Sequence, residues 1–255
     1  IELADGASLH LVETHVFGDE AGLLTNLVTR CKVGERAVLR HDRLQIGNTE
    51  GRFIGSFDVD IGPKANVVQT LATLGGGFVR NEVTARLNGS DINAQFNGLY
   101  LTRTGQHVDN VLKIDHTAPG SVSDQYFKGV LDGRAQAAFA GKIHVHQAAQ
   151  QTNAYQTNNN LLLSPNAEIN TKPELEIYAD DVKCSHGATA GELDERELFY
   201  LRSRGLDPET ARTMLTFAFA DEVLERFTSE HLLDQAKREM LRWLPGGDTL
   251  ADMDV

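Results

Sequence analysis

The side chains best suited to chemistry are Cys184 and His186, which stand two positions apart in the run Ala179–Thr189. If this run is a β-strand, positions 184 and 186 share one face, so the thiol and the imidazole point the same way. Cysteine and histidine are ligands of zinc and of iron–sulfur clusters, and the neighbouring Lys183 is expected to favour the thiolate modestly. A structural interpretation also fits, with a small buried thiol beside Val182 and a hydrogen-bonded histidine. The spacing alone leaves both open.

A second pair, His144 and His146, has the same spacing in another strand-like run. Side chains at i and i+2 lie on one strand face about 6.6 Å apart, close enough for two imidazoles to hold one metal ion. Cupin-type sites also need a carboxylate shortly after such a pair, but residues 147–151 supply none and the nearest downstream glutamate is Glu168. The pair therefore predicts either a mononuclear metalloenzyme on a β-rich fold or an ordinary hydrated strand face.

Other cofactor and nucleophile motifs are absent from the sequence. Two cysteines, Cys31 and Cys184, are too few for a self-contained Cys₄ zinc or iron–sulfur site or for a disulfide scaffold. Gly75-Gly-Gly77 lacks the spacing of a dinucleotide-binding loop, and Gly141-Lys142 lacks the rest of a P-loop. No G-x-S-x-G motif supports a hydrolase. Any ATP used here must therefore be bound by another chain.

The net charge of −12 over 255 residues argues against binding to nucleic acid or to an anionic membrane surface, because both need clustered positive charge. No apolar run is long enough to span a bilayer, and the N-terminal residues do not form a signal peptide. The sequence is therefore expected to be soluble, with proteins as partners. It begins at Ile1, so an N-terminal segment is expected to have been trimmed or left out.

Short runs with period-two alternation, separated by single glycines, predict a β-rich fold. An aromatic-x-Gly element recurs loosely, which indicates a repeated structural unit. A meandering sandwich or barrel and a β-solenoid, with about 25–30 residues per coil and about six coils, both fit. The run Thr157–Asn160 suits a solenoid, where side-chain amides can satisfy buried turn backbone. Predicted strands are Phe78–Leu87, Phe96–Leu101, Val108–His116, Tyr126–Leu131, Ala137–Val145 and Leu175–His186.

The pattern changes at Gly191, where the alternation stops and helix formers dominate. Two domains are therefore predicted, at residues 1–190 and 191–255. Aspartate and serine N-caps, a proline at a first helical position and terminal glycines mark the helix ends. They predict three helices, over Asp194–Gly205, Pro208–Phe227 and Ser229–Trp243.

The second predicted helix is apolar nearly all round, with Met214, Phe217, Phe219 and Val223 among its side chains. A helix that buries one face needs only about a third of its circumference apolar. The side chains therefore either fill a local helical core or lie under a partner protein. A predicted domain of 65 residues has a small core, which slightly favours help from a partner.

Three runs carry a family resemblance: Asn158–Leu163, Asn170–Thr189 with its Cys-Ser-His-Gly-Ala-Thr ending, and Leu198–Gly205. They resemble the SufB/SufD family of the SUF machinery for iron–sulfur cluster assembly. The likeness is densest over residues 138–227, and no motif of residues 1–60 aligns. SufB usually has glutamate after the histidine, whereas Gly187 follows it here, so the chain resembles SufD more than SufB.

The resemblance implies a right-handed parallel β-helix followed by a small helical C-terminal domain, with the family's N-terminal helical region outside this chain. It implies a non-catalytic scaffold that pairs with SufB through the β-helix and binds the ATPase SufC through the helical domain. Met214, Phe217, Phe219 and Val223 then become candidate contacts for the ATPase. The expected location is the bacterial cytoplasm, or the plastid stroma in a eukaryote. A homodimer of the isolated chain is left open.

The resemblance also implies a site. In the family, nascent clusters form at the SufB–SufD interface, which makes His186 the expected cluster or iron ligand and Cys184 a nearby thiol. The cluster is expected to be transient and shared with SufB, so none is expected to bind the isolated chain tightly. A flavin is associated with the assembled complex, but no residue here is assigned to it. The metalloenzyme centred on His144 and His146 is the rival hypothesis.

Overall fold

The computed structural model describes residues 1–17 and 22–251, and its strands form a parallel β-solenoid. Each coil contributes one strand to each of two sheets. Sheet 1 has the order β1-β3-β5-β7-β9-β11-β13, and sheet 2 has the order β2-β4-β6-β8-β10-β12-β14. The strands are β1 (Glu2–Leu3), β2 (Ser8–Phe17), β3 (Leu24–Val33), β4 (Val38–Gly47), β5 (Arg52–Ile61), β6 (Asn66–Thr73), β7 (Phe78–Leu87), β8 (Asn93–Thr102), β9 (His107–His116), β10 (Val122–Leu131), β11 (Gln136–Val145), β12 (Asn153–Leu162), β13 (Glu168–Ile177) and β14 (Lys183–Gly191).

The coils range from 26 to 32 residues in length, and strands of adjacent coils pair in parallel. Phe78 pairs with Arg52, 26 positions earlier, and Glu168 pairs with Gln136, 32 positions earlier. Alternate side chains of each strand face the space between the sheets, where phenylalanine and aliphatic side chains form a continuous core. The predicted β-solenoid of about six turns is confirmed, and the sandwich and barrel are excluded.

Coil stacking explains two of the aromatic-x-Gly elements, those that end at Gly98 and Gly129. A Cβ at Gly98 would lie 2.2 Å from the ring of Phe127, and a Cβ at Gly129 would lie 2.2 Å from the ring of Tyr100. These glycines leave the space that an aromatic ring of the adjoining coil fills, in an interior packed as densely as an organic crystal. At these two positions the glycine therefore reflects the packing of one coil against another.

The predicted strand Leu175–His186 is wrong, because β13 ends at Ile177 and β14 begins at Lys183. Between them the chain crosses from sheet 1 to sheet 2. The crossing is held by Asp181, whose backbone N–H donates to Gln150 Oε1 at 2.9 Å and whose carbonyl accepts from the backbone N–H of Gln151 at 2.6 Å. The alternation of β13 and of β14 is separated by only a short turn, so the sequence pattern predicts one long strand.

The predicted amide ladder lies inside β12 and bonds mainly to other side chains. Asn160 Nδ2 donates to Asn158 Oδ1 at 2.9 Å, and Asn158 Nδ2 donates to the Tyr100 hydroxyl at 3.0 Å. Asn160 also reaches the Thr189 carbonyl of β14 at 3.1 Å. The asparagines therefore connect three coils through the interior of strands, whereas the sequence placed them at buried turns.

The helices are α1 (Glu195–Ser203), α2 (Pro208–Leu224), α3 (Glu230–Trp243) and α4 (Gly247–Ala251). Asp194, Asp207 and Ser229 accept hydrogen bonds from first-turn N–H groups, so the three predicted N-caps are confirmed. The second helix ends three residues before the predicted Phe227, and α4 was not predicted. None of the described helices is both long and apolar enough to cross a bilayer.

Three of the helices pack on the outer face of sheet 2. Apolar residues of β4, β6, β8, β10 and β12 form one cluster with residues of α2, α3 and α4. Polar contacts fix this layer: Asp42 Oδ2 accepts from the backbone N–H groups of Thr228 and Ser229 at 2.9 and 2.7 Å. Lys128 Nζ donates to the carbonyl of Phe219 at 3.0 Å. Helix α1 has no buried residue. The predicted division at residue 190 stays a prediction.

Candidate functional site

Strand β14 forms an open edge at the C-terminal end of the solenoid. It pairs with β12 and stands last in sheet 2, just as β13 stands last in sheet 1. No described strand pairs with the far side of either one. The open edge therefore presents backbone N–H and C=O groups that a further strand can bind.

Cys184 and His186 both lie on this edge strand, and its register shows which way they face. Cys184 pairs with Ala154 and His186 pairs with Gln156, and both partners in β12 are buried interior residues. Cys184 is half-buried and packs against the small cluster that contains Ile143. His186 is exposed, although it is in register with an interior position. The solenoid thus ends with an uncovered imidazole at the mouth of its interior.

Burial is the main influence on the pKa of the Cys184 thiol. Desolvation raises its pKa above the ordinary value, and a backbone hydrogen bond with Ala154 offsets this only in part. The net shift is therefore opposite to the modest stabilisation of the thiolate that was expected from Lys183. At neutral pH Cys184 is therefore a protonated thiol, and metal or cluster ligation would have to displace its proton.

Gln156 is a residue of this site that the sequence analysis missed. Its Nε2 donates to Gln125 Oε1 at 2.6 Å, while its own Oε1 is buried without a hydrogen-bond partner among the described residues. Because Gln156 is in register with His186, this acceptor lies one coil before the position of the imidazole. Gln156 could have been identified from the sequence by counting one coil period, 30 residues, back from His186.

His144 and His146 are brought together, with their ring centroids 4.1 Å apart. The carboxylate that is absent downstream comes from Asp115 in the preceding coil, whose Oδ1 lies 3.1 Å from His144 Nδ1. One ligand atom from each residue lies within 4.8 Å of the others. A search along the chain could not find Asp115, because the coil period of 29 residues, and not local spacing, makes it a neighbour.

The four residues predicted to contact a partner through α2 differ in burial. Phe217 is 4% exposed and Val223 is 0% exposed, because both pack against sheet 2. Met214 and Phe219 are only partly buried in the same cluster. On α1, by contrast, Phe199 is 72% exposed. The neighbouring Tyr200 is also exposed. The largest uncovered aromatic surface of the helical segment is therefore on α1, which the sequence analysis did not select.

Comparison with known proteins places this geometry in a family. The profile described as "SUF system FeS cluster assembly, SufBD core domain" matches residues 1–219. The iron–sulfur cluster assembly protein SufD of Escherichia coli K12 is 35% identical over 97% of this chain and 58% of its own length. The chloroplastic protein ABCI7 of Arabidopsis thaliana is 36% identical over 92% of this chain and 50% of its own length.

An iron–sulfur cluster assembly SufBD family protein of Synechocystis is 39% identical over 79% of this chain and 44% of its own length. The chain thus spans about half the length of the relatives that it matches. The family profile covers every strand of the solenoid and the first part of the helical segment. The chain therefore belongs to the SufBD core family of the SUF system and is SufD-like.

Proposed function

We propose that the chain is a non-catalytic scaffold subunit of the SUF complex for iron–sulfur cluster assembly, and that it forms the assembly site together with SufB. The observation that carries the proposal is an exposed His186 on β14 of a SufBD core solenoid, an edge strand whose outer side has no partner strand among the described residues. Two cysteines are too few for a cluster site within one chain, so a shared site needs ligands from a partner.

The open end of the solenoid is suited to a partner of the same architecture. Strands β13 and β14 each lack a neighbour on one side among the described residues, and parallel strands are normally covered. A SufB solenoid that added strands here would enclose His186 at the interface. The nascent cluster would then be transient and shared, with His186 as one ligand and Cys184 beside it.

We assign the binding of the ATPase SufC to the helical segment. Phe199 and Tyr200 on α1 are exposed, and Met214 and Phe219 on α2 are partly buried, so these four side chains offer the apolar surface that a partner can cover. Force applied to α2 would reach sheet 2 directly, because Lys128 of β10 binds the Phe219 carbonyl. ATP bound by SufC could thereby rearrange the interface at β14.

A proline on the open edge tests the proposed SufB contact. The N–H of Lys183 donates to the Thr152 carbonyl in the crossing before β12, at 2.9 Å. Since N–H groups alternate in direction along a strand, that of Ala188 points to the open edge. Ala188→Pro removes only this outward donor and adds a ring where a strand would pair. We expect the variant to fold but to lose most of its binding to SufB, measured by co-purification.

Thr189→Pro is the matched control, because the N–H of Thr189 points inward to β12. This variant should destabilise β14 itself, which thermal unfolding and hydrogen exchange would detect. Binding of SufC should be unchanged in Ala188→Pro. If Ala188→Pro bound SufB as tightly as the unaltered chain, the edge of β14 would not be the interface.

A further inference from the structure

The proposed assembly site leaves one cluster of metal-ligating side chains unused. Asp115, His144 and His146 lie together where β9 and β11 of sheet 1 end. Asp115 and His144 are largely covered, whereas His146 is exposed, so the cluster opens to solvent on one side. The three side chains come from two neighbouring coils, and their ligand atoms lie within 4.8 Å of one another.

The solenoid register builds this cluster. Asp115 in β9 pairs with His144 in β11, and the two side chains share a hydrogen bond of 3.1 Å. His146 follows β11 directly, and its backbone N–H donates to the His116 carbonyl at 3.0 Å, which fixes its position on the coil below. Alternation then turns His144 and His146 to the same side. The positions of all three residues thus follow from strand pairing.

The surroundings position the ligand atoms and leave one carboxylate oxygen of Asp115 for the cluster. Lys113 Nζ lies 3.5 Å from Asp115 Oδ2, which leaves Oδ1 for His144. Tyr178 of the next coil packs edge-on against the His144 ring, with centroids 5.5 Å apart. The other nearby cation, Lys142, lies 2.6 Å from Glu176. Glu176 pairs with His144 from the opposite side, so carboxylates flank the imidazole in both neighbouring coils.

We propose that Asp115, His144 and His146 bind a divalent transition-metal ion. Two imidazoles and one carboxylate suit zinc, iron(II) or cobalt(II), whereas magnesium and calcium prefer oxygen ligands. Bonds of about 2.0–2.2 Å place ligand atoms about 3–3.6 Å apart, so the cluster needs only a small closure, which the exposed His146 can supply. To bind the ion through Nδ1, the neutral His144 ring carries its proton on Nε2, so that Nδ1 and Asp115 Oδ1 face the ion in place of their hydrogen bond.

The three ligands leave coordination positions open toward solvent. Water, or a group of a substrate or partner, can occupy these positions. The site lies on sheet 1, whereas the helices cover sheet 2. It is therefore accessible in a chain whose helical segment is fully docked. The site gives the scaffold a means to hold a metal ion apart from the edge strand that carries His186.

Titration of the metal-free full chain tests the proposal. Zinc would be titrated by calorimetry, and cobalt(II) by its visible absorption. We expect one ion per chain, and we expect His146→Ala, His144→Ala and Asp115→Asn each to weaken binding by at least about tenfold. His107→Ala is the matched control. His107 also contacts an aspartate of sheet 1, with its Nε2 2.6 Å from Asp109 Oδ1, but it does not belong to the three-residue cluster. It should bind the ion as the unaltered chain does.

His186→Ala separates this proposal from the assembly site. The variant should bind the ion normally, since His186 lies on β14 and outside the three-residue cluster. Thermal unfolding would show that His146→Ala is folded, because His146 is exposed. Absence of stoichiometric binding, equal binding by His146→Ala, or loss of binding in His186→Ala would each overturn the proposal. None of these outcomes bears on whether the chain binds SufB.

Discussion

His186→Ala is expected to abolish iron–sulfur cluster formation in cells while leaving the fold and the complex intact. The imidazole is exposed and makes no hydrogen bond or ion pair among the described residues, so its removal should change the stability by less than about 0.5 kcal/mol. A cluster ligand has no substitute at a shared site. The expected loss exceeds the roughly 10- to 100-fold effect of groups that only support a ligand. Complementation of cells that lack the chain measures it.

Two variants of the same strand control this result. Ser185→Ala changes the neighbouring side chain on the other face of β14 and should retain full activity. Cys184→Ala should lose less activity than His186→Ala, because the thiol is half-buried, packs against Ile143 and has a raised pKa. Size-exclusion chromatography would confirm that the complex forms in each case. Full activity of His186→Ala would remove His186 from the site.

Phe217→Asp is expected to detach the helical layer from the solenoid. The ring is 4% exposed and lies in the cluster that joins α2 to sheet 2. Truncation of a buried phenylalanine costs about 3–5 kcal/mol, and an unpaired buried carboxylate adds to this. Hydrogen exchange should show α2, α3 and α4 unprotected, together with the Asp42 contact to Ser229. The strands of the solenoid should stay protected.

Phe199→Asp is the control for that experiment, because Phe199 on α1 is 72% exposed. It should leave thermal unfolding unchanged and should weaken binding of the ATPase subunit if α1 forms that contact. A stable Phe217→Asp variant with docked helices would show that the cluster between α2 and sheet 2 contributes little. If Phe217→Asp lost as much ATPase binding as Phe199→Asp while its helices stayed docked, Phe217 would contact the ATPase directly.

The sequence predicted most elements because local signals determine them. Alternation over Phe78–Leu87 and the caps Asp194, Asp207 and Ser229 depend on residues within one strand or one helical turn. Solenoid and sandwich could not be separated in this way, since both use short alternating strands. The family resemblance decided between them, and the parallel register confirms the solenoid.

The neighbours of the site residues could not be predicted from local spacing. Asp115 contacts His144, and Gln156 stands in register with His186, only because of the coil period, which was not yet known from the sequence. Likewise, the apolar circumference of α2 did not show that sheet 2 covers Phe217. These contacts depend on tertiary packing between segments far apart in the chain.

We expect this chain to act as a subunit of a SUF assembly complex and not alone. Co-expression of the tagged chain with SufB and SufC of the same organism, followed by purification and mass measurement of the intact assembly, tests this expectation. We expect a stable complex that contains all three proteins. A chain that purified free of both SufB and SufC would contradict it.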